Sequence, residues 1–284
     1  MPLDVKALRE WVGKTETAEE TIARFPVAAL SATLDREDPL PRDGDPLPAL
    51  WHWLFFLSLY RHSEAGPDGH QARGYFLPPV PLPRRMWAGS RFEFAQPLRV
   101  GDTVRRVSTL ADVTHKTGRS GELVFVRVRH CLATAAGNAI TEDQNIVYRE
   151  AARPGDTAAQ PVPAPEHAAW RRTIRPDPLL LFRYSALTFN GHRIHYDRPY
   201  CNDVEGYPGL VVHGPLLATL LLDLLRRERP DAVLARFEFR AIRPVFDIAE
   251  FSVCGAPQPG PREVRLWIRD ADGALAMDGA AILA

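Results

Sequence analysis

The chain has 284 residues, 35 basic against 35 acidic side chains, and three cysteines. The charge balance excludes nucleic acid or a membrane surface as the main partner and leaves a small molecule, while the length suffices for one large domain or two smaller ones. Cys131, Cys201 and Cys254 are odd in number and widely spaced, with no CxxC pair, which argues against a disulfide framework and a zinc site.

The opening MPLDVKALREW lacks the apolar run of a signal peptide, and the expectation is a cytoplasmic protein. Residues 3–24 read as one or two amphipathic surface helices with Leu3, Leu8, Trp11 and Val12 inward. A proline-rich and acid-rich loop, Asp35 to Pro48, follows. Then ALWHWLFFLSLY, Ala49 to Tyr60, reads as a buried apolar helix whose Trp51, Trp53, Phe55 and Phe56 are core or the wall of an acyl pocket. From Ser63 to Arg85, five prolines and three glycines mark a long irregular excursion of the kind that serves as a lid. Arg84 and Arg85 end it, either as ligands for a phosphate or carboxylate or as ordinary exposed arginines.

The chain then turns to strands: RFEFAQPLRVGDTV, ELVFVRVRHCLAT and AITEDQNIVYRE, separated by TGRSG and AAGN turns. The alternation in VFVRVRH suits a sheet with one face covered. Residues 153–168, rich in proline and alanine, read as a linker. The second half repeats the plan, with a buried helix followed by ARFEFRAIRPVFDIAEFSVCG, VRLWIRD and ALAMDGAAILA. Arg91, Phe92, Glu93 and Phe94 recur as Arg236, Phe237, Glu238 and Phe239, and the shared order of elements makes this short identity a repeat signal.

Between linker and repeat lies the stretch that carries chemistry, Phe182 to Leu225. Six residues, Asn190 to His195, hold an asparagine, an arginine and two histidines. His195 is the candidate proton handler, because imidazole titrates near neutrality and both takes and gives a proton. His192 shares its face if the segment is a helical turn and points the opposite way if it is extended. Downstream, Pro215 to Leu225 is a leucine-rich helix bounded by Gly214 and followed by Arg226, Arg227 and Arg229, apolar nearly all round and too short to cross a bilayer. Its first turn leaves N–H groups without partners, where an oxygen that becomes negative during a reaction is favoured.

The runs YSALTFNGHRIHYD and GLVVHGPLLATLL resemble the hydratase motif of the MaoC-like hotdog-fold hydratases and dehydratases. The nearest branches are the mesaconyl-C(4)-CoA and itaconyl-CoA hydratases and the type 2 3-hydroxyacyl-thioester dehydratases. In that family an aspartate and a histidine five residues later act on the water, and the glycine of a His-Gly pair gives its N–H to the thioester carbonyl. The resemblance assigns His195 to the histidine and Gly214 to the glycine, while Asn190 stands where the aspartate would be. An amide cannot take the proton but can orient a water, with Asp197 and Glu205 as substitutes for the missing carboxylate.

What the resemblance implies is an α+β double hotdog, two antiparallel sheets each wrapped around a long central helix. Residues 1–152 form a divergent, substrate-binding half, 153–168 the linker, and 169–284 the half that carries the motif. The implied reaction is reversible hydration of a 2-enoyl-CoA thioester, of a small branched dicarboxylic acyl group such as mesaconyl or itaconyl. Catalysis falls to His195, Asn190 and Gly214. His192, Arg193, Tyr196, His213 and Gly209 are the substrate-binding candidates, with His192 and Arg193 either meeting a substrate carboxylate or bracing the turn. No metal or redox cofactor is implied, and no familiar ligand spacing joins His192, His195 and His213. The expected partner is the acyl-CoA thioester, with no nucleic acid, no membrane and a possible homo-oligomer. The alternatives are a 3-hydroxyacyl-thioester dehydratase of fatty acid metabolism, a hotdog thioesterase and a non-catalytic acyl-CoA-binding subunit.

Overall fold

Alternation of valines with arginines over Val124–Arg129 buries Val124, Val126 and Val128 and leaves Arg127 and Arg129 exposed, the signature of a strand with one covered face. Strands of this kind dominate the computed structural model, which describes residues 3–71, 74–118, 121–150, 160–260 and 262–284. The first five are β1 (Thr15–Thr21), β2 (Arg84–Phe94), β3 (Thr103–Gly118), β4 (Gly121–Thr134) and β5 (Gly137–Arg149). The second five are β6 (Trp170–Ile174), β7 (Leu234–Ala241), β8 (Phe251–Pro257), β9 (Glu263–Arg269) and β10 (Leu275–Leu283).

The described strands form one antiparallel sheet in the order β1-β3-β4-β5-β2-β7-β10-β9-β8-β6. The two separate sheets expected from the sequence are thus joined edge to edge through β2 and β7. Their junction is the repeated RFEF: Phe92 faces Phe237, Arg91 faces Glu238 and Glu93 faces Arg236. Antiparallel pairing of a motif with its own copy sets each arginine against a glutamate. Counting outwards from this junction, each half runs through its strands in the same sequence order, β2-β5-β4-β3-β1 on one side and β7-β10-β9-β8-β6 on the other.

The helices are α1 (Val5–Arg9), α2 (Arg24–Thr33), α3 (Pro178–Leu187) and α4 (Gly214–Glu228). Helix α4 extends the expected leucine helix by one residue before it and three after, and every residue from Leu216 to Leu225 is buried. It packs against β6, β8, β9 and β10. Its buried acid, Asp223, receives Arg36 at 2.7 Å and Arg172 and Arg227 at 2.8 Å. No described helix is long and apolar enough to cross a membrane.

Two expected helices take other forms. Residues 3–24 give the short α1 and then β1, because TETAEET has no apolar stripe and its β-branched threonines suit an exposed edge strand. Ala49–Tyr60 yields a single 3-10 turn, Trp51–Leu54, because Leu50 (φ 68°) and Phe56 (φ 57°) adopt the left-handed conformation on either side. Among the described residues the first half therefore has no long central helix. Helices α2 and α3 and strand β6 are not among the expected elements. Of the expected linker, residues 153–159 lie outside the described residues, and the following stretch lies along the start of β10, where Leu275 N–H donates to Val162 O at 2.8 Å.

Candidate active site

Helix α3 delivers the motif. Asp177 caps it by accepting from Leu180 N–H at 2.8 Å, and Pro178 occupies its first turn. Phe189, at φ 48°, then takes a conformation that costs a bulky residue on the order of 1–3 kcal/mol and turns the chain sharply back. Asn190 N–H donates to Ser185 O at 2.8 Å, and Asn190 Oδ1 accepts from His192 N–H at 3.0 Å. With its oxygen so engaged, the amide NH2 is left to face a ligand.

Residues Arg193–His195 form a 3-10 turn. Three residues per turn eclipse positions i and i+3, so His192 and His195 share a face, their ring centroids 5.3 Å apart. His195 Nδ1–H donates to Val211 O at 2.7 Å, which leaves the lone pair on Nε2. Burial lowers its pKa to about 4, against the Val211 carbonyl and with His70 adding to the shift, so the ring is neutral at pH 7. His213, fully buried, stacks on His195 at 3.7 Å and shares a 2.8 Å hydrogen bond between Nε2 and Ser185 Oγ. Burial, then His195 and His192, hold its pKa far below normal.

The irregular segment before β2 supplies two residues that sequence reasoning missed. His70 lies 4.0 Å from His192, ring to ring, and its Nδ1 sits 3.1 Å from Asp68 Oδ2. Burial would raise the Asp68 pKa, yet His70 and His192 outweigh it and hold the carboxylate charged. Four imidazoles thus stand in a row, His70, His192, His195 and His213. Arg193 N–H donates to Asp68 O at 2.9 Å, and Gly69 lies so close to Gly191 that an added Cβ would come within 2.0 Å of its carbonyl oxygen. The ligand atoms of Asp68, His70 and His192 lie within 4.8 Å of one another, a grouping that could hold a divalent ion and that differs from the histidine set considered from the sequence.

A cavity of about 720 Å³ opens beside the motif. Asn190, Gly191, Tyr184 and Pro215 line it together with Tyr60, Arg85, Trp87, His130, Glu142 and Gln144. Phe55 to Tyr60 also line it, so the apolar run read as a helix is part pocket wall. Part of this lining is polar. Glu142 accepts from Ser90 Oγ at 2.9 Å and Trp53 Nε1 at 3.2 Å, and His130 Nδ1 meets Ser108 Oγ at 2.8 Å. Burial pushes the Glu142 pKa up, but His52, His130 and Trp53 together hold it below normal.

The structure brings Asn190, His192, His195, His213 and the Gly214 helix start together. Of the catalytic and substrate-binding candidates Asn190 alone lines the cavity, with Pro215 of α4 also in its lining, and three of the others are committed elsewhere. Arg193 is tied to Asp197 at 2.7 Å and to Pro67 O at 3.0 Å, and stacks on Tyr200, as a brace. Tyr196 is half exposed, its hydroxyl donating to Gly191 O at 3.1 Å. Gly209 packs where a Cβ would meet Asp247 Oδ1 at 2.6 Å. Asp197 also accepts from Tyr200 N–H, and Glu205 accepts from Tyr200 Oη, so both carboxylates are committed to the local turn.

Comparison with known proteins places this geometry. Residues 50–247 match the family described as hydroxyacyl-thioester dehydratase type 2. Mesaconyl-C(4)-CoA hydratase of Chloroflexus aurantiacus is 47% identical over 270 residues, covering 94% of each chain. The mitochondrial hydroxyacyl-thioester dehydratase type 2 of Schizosaccharomyces pombe is 29% identical over 83% of this chain and 88% of its own. Among solved structures, a MaoC-like dehydratase from Phytophthora capsici is 15% identical and has a TM-score of 0.65 over 99% of each chain, so the α+β architecture is the MaoC-like hotdog fold.

Proposed function

The chain belongs to the family of type 2 hydroxyacyl-thioester dehydratases, and from that membership we propose a hydro-lyase that reversibly hydrates a 2-enoyl-CoA thioester of the mesaconyl kind. The single observation that carries the chemistry is a buried, neutral His195 with its Nε2 lone pair free, five residues from an asparagine with a free NH2 group.

Asn190 donates to the oxygen of a water and His195 Nε2 takes its proton. The oxygen adds to C3 of the enoyl group, and the electron pair moves through C2 to the thioester oxygen. Gly214, the first residue of α4, has no acceptor within the helix for its N–H, and with the positive helix end it stabilises that charge. The imidazolium then returns the proton to C2, so a single base serves as acid in the second half of the reaction. Burial supports this role, since the low dielectric strengthens each hydrogen bond at the moment charge develops. We also read the two five-strand halves as fused hotdog units, residues 1–152 and 169–284, with the cavity occupying the space where the first half lacks a long helix.

Dehydration of 3-hydroxyacyl thioesters in fatty acid metabolism is the second reading, and the family description favours a hydroxyacyl-thioester dehydratase. The polar part of the cavity lining supports the short, polar acyl group instead, because an alkyl chain against it would strip water from Glu142, His130 and Gln144 without replacing its hydrogen bonds. The test is loss of enoyl-thioester absorbance on mesaconyl-C(4)-CoA, crotonyl-CoA and a long-chain enoyl-CoA, with a thiol reagent alongside. Absorbance loss without free thiol, abolished in His195→Ala, is expected; thiol release would indicate a thioesterase, and no turnover a binding subunit.

A further inference from the structure

Successive residues of a strand face opposite ways, and at the start of β2 this separates two arginines. Arg84 is held by Glu205, donating to its carbonyl at 3.0 Å and lying 3.8 Å from its carboxylate, and it covers the ring of Tyr207. Arg85, paired in register with Tyr148 of β5, lines the cavity. Two other lysines or arginines line it. Lys14 donates to Tyr75 O, and Arg106 donates to Phe56 O at 3.1 Å and lies 3.4 Å from Glu16. Among the described residues, Arg85 alone of the three has no hydrogen-bond or carboxylate partner shown. Arg85 shares the cavity lining with Asn190, Gly191 and Tyr60.

We propose that Arg85 is the carboxylate-recognising residue of the cavity, receiving the free carboxylate of a 3-carboxylated enoyl thioester and setting selectivity for dicarboxylic over monocarboxylic acyl groups. This rests on the hydratase reading above. In such a substrate the carboxylate is attached to the carbon that water attacks, so its receptor must share the cavity with Asn190, as Arg85 does. A guanidinium fork matches a carboxylate in two parallel hydrogen bonds, an interaction a neutral methyl or alkyl group cannot replace. Glu142, the buried carboxylate of the same cavity, is kept from competing by its bonds to Ser90 and Trp53.

The readout is the ratio of kcat/KM for mesaconyl-C(4)-CoA to that for crotonyl-CoA, which lacks the carboxylate. Arg85→Leu is expected to lower this ratio on the order of 100-fold, as expected for removing one partner of a desolvated charge pair. Arg85→Lys, which keeps the charge and the packing of the stem, should lower it about tenfold and carries the test if the leucine variant does not fold. An unchanged ratio in the folded variants would overturn the assignment. Wild-type protein that hydrates crotonyl-CoA but not the carboxylated ester would overturn the substrate reading itself, and this is seen before any variant is made.

Discussion

At the scale of single residues, His195 is the group whose environment determines its chemistry. Its Nδ1–H is engaged by Val211 O and burial keeps the ring neutral, so Nε2 is available as a base well below the pH at which a free histidine protonates. His195→Gln keeps a donor for that carbonyl but removes the base, and should lower kcat by roughly 10²–10⁴-fold with little change in KM. A loss confined to KM would instead make His195 a binding residue. The pH dependence follows with a definite sign. Because the folded pKa, about 4, lies below the unfolded value near 6.5, the unfolded chain binds more protons between them. Stability is therefore complete above pH 6.5 and declines as pH falls towards 4, with His192 and His213 adding in the same direction. The acid limb of kcat/KM should lie well below 6.5; a limb at 6.5 in folded protein would mean an ordinary exposed imidazole carries the reaction. Much of this was legible in the sequence because Asn190, His192, His195 and His213 lie within 24 positions of chain. His70 and Asp68 were not, since their place beside His192 depends on the irregular segment folding back over more than 100 residues.

At the scale of elements, α4 shows what a helix needs to be read correctly from sequence. Its leucines are core on every side, so composition alone marks it. The less obvious feature is Asp223, whose carboxylate is almost wholly enclosed and faces Arg36 from beyond α2, Arg172 from β6 and Arg227 one turn on. Removing it leaves three cations without their common partner. Asp223→Ala should destabilise the fold by about 3–5 kcal/mol in chemical denaturation. A loss under about 1 kcal/mol would place the cluster with ordinary surface ion pairs. The Ala49–Tyr60 run misled for the opposite reason. Its hydrophobicity is equally strong, but part of it faces a cavity rather than a packed sheet, and two left-handed residues bound the turn. Apolar content reports burial, and says nothing of whether the buried surface is filled by protein or left for a ligand.

At the scale of the whole molecule, the RFEF identity proves to be a joint. A four-residue repeat is weak evidence for a duplicated fold until its copies are seen to pair with each other, with Phe92 against Phe237 at the centre of the sheet. That contact explains why the two halves share one sheet where the sequence suggested two. The core follows the same logic, since one apolar cluster contains Leu34, Trp51 and Phe92 together with Leu216, Leu221 and Phe237. The halves should therefore hold together without a covalent link. A protease site inserted between residues 153 and 159 and then cut should leave two fragments that co-elute in size exclusion, unfold in one transition and retain hydratase turnover. Separation under native conditions would show that each half is an independent domain. Salt distinguishes what holds them: Arg91 and Glu238 are mostly exposed and contribute little, whereas the phenylalanines are buried and indifferent to screening. The nicked pair should thus survive molar salt, and dissociation there would shift the joint from its apolar centre to its charged flanks.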